Sequence, residues 1–134
     1  MELKDLLKKI KFAGNIDDCV IENITHDSRK VKPGTLFVAI KGFNDDGHNY
    51  IMDAVDRGAS AVMSNGRSLT NIGVPVIKVD DPRKSMSKIA AVFYQHPTKN
   101  IKITAVTGTN GKTSVTHIIN HIYKTADISC GTLG

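Results

Sequence analysis

Tryptophan is absent from this 134-residue chain, aromatic residues make up 5% of it, and cysteine occurs only twice. Two thiols as far apart as Cys19 and Cys130 argue against a disulfide framework or a cysteine metal cluster. They are expected to be inert, reduced side chains of a cytoplasmic protein. No apolar run is long enough to cross a bilayer. The lysine-rich residues 1–11 lack the apolar core of a signal peptide, so neither membrane insertion nor secretion is expected. Acidic side chains are in the minority, 13 against 18 Lys and Arg, for a net charge of +5. That excess suits an anionic ligand. It is spread along the chain with no dense basic run and little aromatic interleaving, which argues against a nucleic-acid partner. There is no internal repeat and no low-complexity tract.

What remains is an ordinary globular composition, 40% hydrophobic and 23% charged, with length enough for one core and the start of a second. Leu3, Leu6, Leu7 and Ile10 recur at helical spacing and predict a short opening helix that stops at Gly14 and Asn15. Residues 20–25 read as a strand, Lys32-Pro33-Gly34 as a turn, and residues 35–40 as an apolar strand. A polar loop over 42–47 leads to a helix over 50–57 with Gly58 at its C-terminal cap. Short strands follow at 59–63 and 74–79. Asp81 and Pro82 form a helix start, cap then first-turn proline, and Met86, Ile89, Ala90 and Phe93 share one face behind it. Alternating helices and short strands predict an α/β fold. The best boundary lies at residues 96–100, dividing the chain into a domain over 1–98 and a further unit over 99–134.

That second unit holds the most informative stretch, Thr107-Gly108-Thr109-Asn110-Gly111-Lys112-Thr113-Ser114. An apolar run at 101–106 predicts a strand before it. Val115, Ile118, Ile119 and Ile122 predict a helix after it, and residues from Ile128 onward a further strand. Strand, glycine loop and helix start make a phosphate cradle, because glycines let backbone amides approach an anion and the helix start offers unpaired donors. Lys112 would reach the outer phosphates of ATP and the Thr113 hydroxyl would hold Mg2+. The strict pattern would need glycine at Val106, so a glycine-rich turn opening a surface helix is the plainer alternative. One strand and one helix cannot bury their own apolar faces, so self-association of this polypeptide is a further expectation. His117 and His121 stand one turn apart without the glutamate of a zinc helix and are expected to be surface side chains.

Two separated segments add to the loop. Thr25-His26-Asp27-Ser28-Arg29, followed by Val31-Lys32-Pro33-Gly34-Thr35-Leu36-Phe37-Val38-Ala39, resembles the N-terminal domain of the Mur ligases. So does Lys41-Gly42-Phe43-Asn44-Asp45-Asp46-Gly47-His48. Asp81-Pro82-Arg83, Phe93-Tyr94 with Pro97, and the phosphate loop complete a match that runs along essentially the whole chain. The resemblance implies a small UDP-substrate domain followed by the first strand, phosphate loop and helix of a P-loop ATPase domain. It implies an ATP-dependent ligase of peptidoglycan synthesis that adds L-lysine or meso-diaminopimelate to UDP-N-acetylmuramoyl-L-alanyl-D-glutamate, the amino acid being held by a C-terminal domain outside this sequence. ATP phosphorylates the peptide carboxylate and the amine then displaces phosphate, so charge neutralisation by Lys112 and Mg2+ matters most. By the same resemblance Ser28, with His26, contacts the uridine end, and Phe43, Asn44 and Asp45 cover the uracil. Gly108, Thr109, Asn110, Gly111, Lys112, Thr113 and Ser114 would hold ATP. The family branch that adds D-alanyl-D-alanine is the nearest rival, although its loop usually reads Gly-Ser where this chain has Gly108-Thr109. Folylpolyglutamate synthetases share the loop but typically lack so long a preceding domain. A non-catalytic UDP-sugar or nucleotide-binding module is the reading from another class, and the 134 residues alone are expected to be inactive. Arg29 remains open between a diphosphate and a plainer pairing with Asp27 or Asp45.

Overall fold

A computed structural model describes residues 1–14, 16–66 and 72–133. They fall into two compact units, Met1–Pro97 and Thr98–Gly134. Of the two residues expected to end the first helix, Asn15 lies outside the described residues.

The first unit is built on a parallel sheet of β1 (Asn23–Thr25), β2 (Thr35–Val38), β3 (Ala59–Ser64) and β4 (Val76–Lys78), in that spatial order. Every residue of β2 is buried, as a strand covered on both faces requires. Alternation along the strands sends side chains to two clusters. Leu36, Val38, Ala61 and Met63 meet Leu3, Leu6 and Leu7 of α1 (Leu3–Leu7) and Ile89 of α3 (Pro82–Phe93). Phe37, Ala39 and Val62 meet Ile51 and Ala54 of α2 (Ile51–Asp56) on the other side. Parallel neighbours need a return connection, and α2 supplies it between β2 and β3. The start of α3 is as the sequence predicts: Pro82 stands in the first turn and the Asp81 carboxylate accepts the Lys84 amide at 2.9 Å.

The expected α/β architecture is present, with several elements shorter than their sequence signals. The strand predicted over 20–25 is reduced to Asn23–Thr25 because the N-terminus captures its first half. The Met1 ammonium donates to the Ile21 carbonyl at 2.9 Å, Ile21 donates back to the Met1 carbonyl, and Val20 forms an isolated antiparallel bridge with Glu2. The first helix stops at Leu7, short of Ile10, whose amide makes a turn bond to the Leu7 carbonyl. A 3-10 turn, Gly47–Tyr50, precedes α2.

The second unit departs further from expectation. Its helix, α4 (Lys112–Thr125), forms as predicted. Among the described residues, neither 101–106 nor the segment from Ile128 onward is a strand. Strand propensity alone does not make a strand: the ladder needs a partner, and this unit presents none. Val115, Ile118 and Ile122, the apolar stripe that one strand and one helix were not expected to bury, are exposed, Ile118 by 58%.

Candidate functional site

Because β1, β2 and β4 run the same way, the loops that follow them leave one edge of the sheet. Open parallel α/β sheets bind ligands at this carboxyl edge. The loop after β1 carries His26, Ser28 and Arg29, the loop after β2 carries Phe43, Asn44 and Asp45, and the segment after β4 leads to Arg83.

The β1 loop is a chain of local hydrogen bonds. Thr25 Oγ1 accepts the Asp27 amide at 3.1 Å, and Asp27 Oδ1 accepts the Arg29 amide at 3.1 Å, turning the backbone into the short 3-10 segment Ser28–Lys30. His26 is left exposed, while Ser28 is buried. The Asp53 carboxylate on α2 accepts Arg57 Nε at 2.9 Å; Arg57 foremost, and then the nearby Ser28 hydroxyl, hold Asp53 below the usual carboxylate range. Sequence reasoning missed Asp53, which lies 25 residues from Ser28 in an unremarkable helix.

The open choice for Arg29 is resolved toward Asp27. Its Nε and Nη2 donate to the two carboxylate oxygens at 2.9 Å each, a bidentate fork. Hydrogen bonding from Arg29 outweighs desolvation and holds the Asp27 carboxyl at about 2. A depressed carboxylate contributes stability above its unfolded value, about 3.9, and loses it as pH falls toward 2. The expected result of a carbon-detected NMR titration is a midpoint near 2 for Asp27 that returns to about 4 in Arg29→Ala. A midpoint near 4 in the unsubstituted chain would mean the fork does not persist in solution.

The β2 loop closes on itself. Gly42 donates to the Asp45 carbonyl at 2.8 Å, Gly47 to the Ile40 carbonyl at 3.0 Å, and Lys41 bridges Asp46. Phe43 is thrown out at the tip, fully exposed at 107%, so its ring is free to stack on a planar group. Asn44 and Asp45 are exposed beside it, and Asp45 accepts the Tyr50 hydroxyl at 3.3 Å. Asp46 accepts the His48 amide at 3.1 Å and lies 2.5 Å from His48 Nδ1. The His48 side chain is only 8% exposed, and its Nε2 has no partner among the described residues.

In the second unit the glycine loop takes the shape its composition predicts. Gly108 and Gly111 sit at φ of 155° and 77°, and a Cβ on Gly111 would meet nothing within 4 Å. Gly111 caps α4 without a side-chain bond, so the first-turn amides of Lys112, Thr113 and Ser114 have no intrahelical acceptor. Lys112 Nζ folds back onto the carbonyls of Gly108 at 2.6 Å and Thr109 at 3.3 Å. Thr109 and Asn110 form the exposed crest of the loop. The hydroxyls of Thr116 and Thr125 bond back to helix carbonyls at 2.7 and 2.9 Å; that of Thr113 makes no such bond. First-turn amides without intrahelical acceptors, an ammonium held only by loop carbonyls, and a Thr113 hydroxyl with no hydrogen bond among the described residues fit a polyphosphate with its cation. No group of three or more His, Cys, Asp or Glu among the described residues could hold a metal. His117 and His121 are exposed on α4. A hollow of about 350 Å3 lined by Lys124, Asp127, Ile128, Ser129 and Cys130 lies at the far end of α4 from the cradle.

The chain combines a parallel α/β unit with a glycine loop on a helix start, an arrangement of the class that P-loop proteins use to approach phosphate. Residues 20–94 match the profile of the Mur ligase family, catalytic domain, and residues 106–134 that of the Mur ligase middle domain. The chain belongs to the Mur ligase family. Over all of its length it is 45% identical to the UDP-N-acetylmuramoyl-L-alanyl-D-glutamate--2,6-diaminopimelate ligase of Clostridioides difficile (strain 630). It is 39% identical, again over its whole length, to the ligase of the same name from Oceanobacillus iheyensis. It spans 28% of the length of each. Among solved structures, the MurF ligase of Thermotoga maritima in complex with ADP superposes with a TM-score of 0.57 at 27% identity, over 77% of this chain and 23% of that one. No helix among the described residues is long and apolar enough to cross a membrane.

Proposed function

We propose that this chain is the N-terminal part of a cytoplasmic ATP-dependent ligase that adds meso-diaminopimelate to UDP-N-acetylmuramoyl-L-alanyl-D-glutamate in peptidoglycan synthesis. The observation that carries this reading is the 39–45% identity, along the whole chain, to ligases of that name. In this reading residues 1–98 bind the UDP end of the substrate and residues 99–134 begin the ATP-binding domain. Ser28 and His26 meet the uridine, and Phe43, Asn44 and Asp45 cover the uracil. Gly108, Thr109, Asn110 and Gly111 shape the phosphate cradle, the amides of Lys112, Thr113 and Ser114 bind the phosphate oxygens, and Lys112 leaves the loop carbonyls to neutralise their charge. The Thr113 hydroxyl would help hold Mg2+, which would supply further charge neutralisation at the phosphates. The incoming amino acid is taken by a domain outside these residues. The exposed stripe of Val115, Ile118 and Ile122 gives this polypeptide a surface for self-association.

The UDP half has its loops on a packed sheet, whereas the ATP half has a cradle with no adenine pocket beside it among the described residues. A cradle alone loses the apolar burial that gives nucleotide sites much of their affinity. Calorimetric titration of UDP-N-acetylmuramoyl-L-alanyl-D-glutamate and of ATP against the 134-residue chain tests the assignment. The UDP ligand is expected to bind the more tightly and to weaken in Ser28→Ala. Tighter binding of ATP, or indifference to Ser28→Ala, would mean that the wrong half carries recognition.

A further inference from the structure

Residues 41–46 have no apolar anchor. None of their side chains belongs to either core cluster, and Phe43 at the tip is fully exposed. At the base of the loop stands a side chain of another kind. The His48 imidazole is only 8% exposed. Asp46 Oδ1 lies 2.5 Å from its Nδ1 and also accepts the His48 amide at 3.1 Å, so one carboxylate oxygen meets two nitrogens of one residue and fixes the ring. On the other side, the His48 carbonyl accepts the amide of Ile51, which opens α2 and is 2% exposed. His48 therefore ties the loop to the packed helix. The tie carries a cost. Facing a carboxylate, Nδ1 must hold a proton in order to donate. Nε2 is buried and has no partner among the described residues. It is a bare acceptor in the neutral ring and a donor in the charged one, and in both states it has left water without a replacement bond. An apolar ring of similar size would avoid that cost.

We infer that His48 is a positioning residue, whose buried ring holds residues 41–46 in their closed arrangement through Asp46 at a cost to the stability of the first unit. The holding of the loop is independent of any ligand; its value to one rests on the UDP-substrate reading above. A loop closed in advance presents its exposed tip in one arrangement, and a ligand need not spend affinity on ordering it. A buried polar group kept for conformational definition has a recognisable signature. Its apolar substitute leaves the fold as stable as before, or more so, and loses the defined arrangement. An ordinary core residue loses both together.

NMR and urea unfolding of the 134-residue chain provide the test. Long-range proton–nitrogen correlation is expected to show a proton on Nδ1 of His48, and a bare Nδ1 would overturn the proposal. In His48→Phe the amides of Gly42 and Gly47, which close the loop on the Asp45 and Ile40 carbonyls, are expected to exchange with solvent about tenfold faster or more, at an unchanged or higher urea midpoint. His48→Asn keeps an N–H near the Nδ1 position and is expected to restore the slow exchange, at a midpoint no higher than that of the unsubstituted chain. In an Asp46→Ala background, His48→Phe is expected to add no further loosening. A midpoint that falls in step with loop protection would mark His48 as ordinary packing, and additive effects of the two substitutions would show that it does not act through Asp46; either overturns the proposal. Affinity for UDP-N-acetylmuramoyl-L-alanyl-D-glutamate is expected to fall about fivefold or more in His48→Phe and to recover in His48→Asn. Binding unchanged in His48→Phe, with the loop loosened, would refute the positioning role and leave the UDP reading standing. If the ligand does not bind the unsubstituted chain, the UDP reading falls, while exchange and midpoint still decide whether His48 holds the loop.

Discussion

Phe37→Ala is expected to cost about 3–5 kcal/mol of folding stability, a large share of the 5–15 kcal/mol that holds a typical domain. Phe37 is fully buried in β2. Its ring fills the space between the sheet and α2, among Val31, Ala39, Ile51, Ala54, Ala59 and Val62. Most of these neighbours are small or β-branched, so none can swing into the gap, and the loss combines transfer energy with an unfilled cavity. Urea unfolding followed by circular dichroism reads the effect as a lower midpoint at unchanged slope. Phe43→Ala is the internal comparison. That ring is fully exposed, and its removal is expected to change stability by less than about 0.5 kcal/mol. Two phenylalanines six positions apart thus separate into one that builds the fold and one that is available to a ligand. A loss below about 1 kcal/mol at Phe37 would show that α2 can settle onto β2 and close the cavity.

The same contrast explains what could be read from the chain before its structure. Residues such as Leu36, Phe37 and Val38 carry their burial in their composition, and Asp81-Pro82 carries a helix start in local chemistry, so both were legible. The run at 101–106 has the same composition as a core strand, but a strand is completed by a neighbour, and local sequence does not say whether a neighbour is present. At β1 the reverse holds: the signal over 20–25 is sound, yet the N-terminus takes the backbone groups of Ile21 first. At the candidate site, Ser28 and the Phe43 loop were legible because each lies inside a contiguous motif. The burial of His48 and the closeness of Asp53 to Ser28 were not, because each depends on neighbours that only the folded chain brings together. Arg29 falls between the two cases. Its possible partners were plain in the sequence, and geometry chose Asp27 from among them.

Gly47→Ala is expected to damage both the fold and the candidate site, because Gly47 lies where the two are joined. A Cβ at this position would stand 2.7 Å from the carbonyl oxygen and 2.8 Å from the amide nitrogen of Ile40. Both are backbone atoms two residues beyond the end of β2, so no side chain can move aside to make room. The Gly47 amide also donates to that carbonyl at 3.0 Å, and this bond closes the loop bearing Phe43, Asn44 and Asp45. Alanine must therefore push the closure open, at about 1–3 kcal/mol by analogy with overpacking elsewhere. The greater effect falls on recognition. Residues 41–46 would lose the support that holds Phe43 and Lys41 in one arrangement, and a ligand would have to order the loop at its own expense. Affinity for UDP-N-acetylmuramoyl-L-alanyl-D-glutamate is expected to drop by about tenfold or more, beyond any change in the fraction folded. Gly131→Ala serves as the control, since a Cβ there meets nothing within 4 Å; both its stability and its binding should match the unsubstituted chain. Thermal unfolding and calorimetric titration on the three proteins separate the outcomes. Lost stability with intact binding would place the loop's support elsewhere, and a Gly47→Ala chain unchanged in both would show that Ile40 and Gly47 do not close the loop in solution.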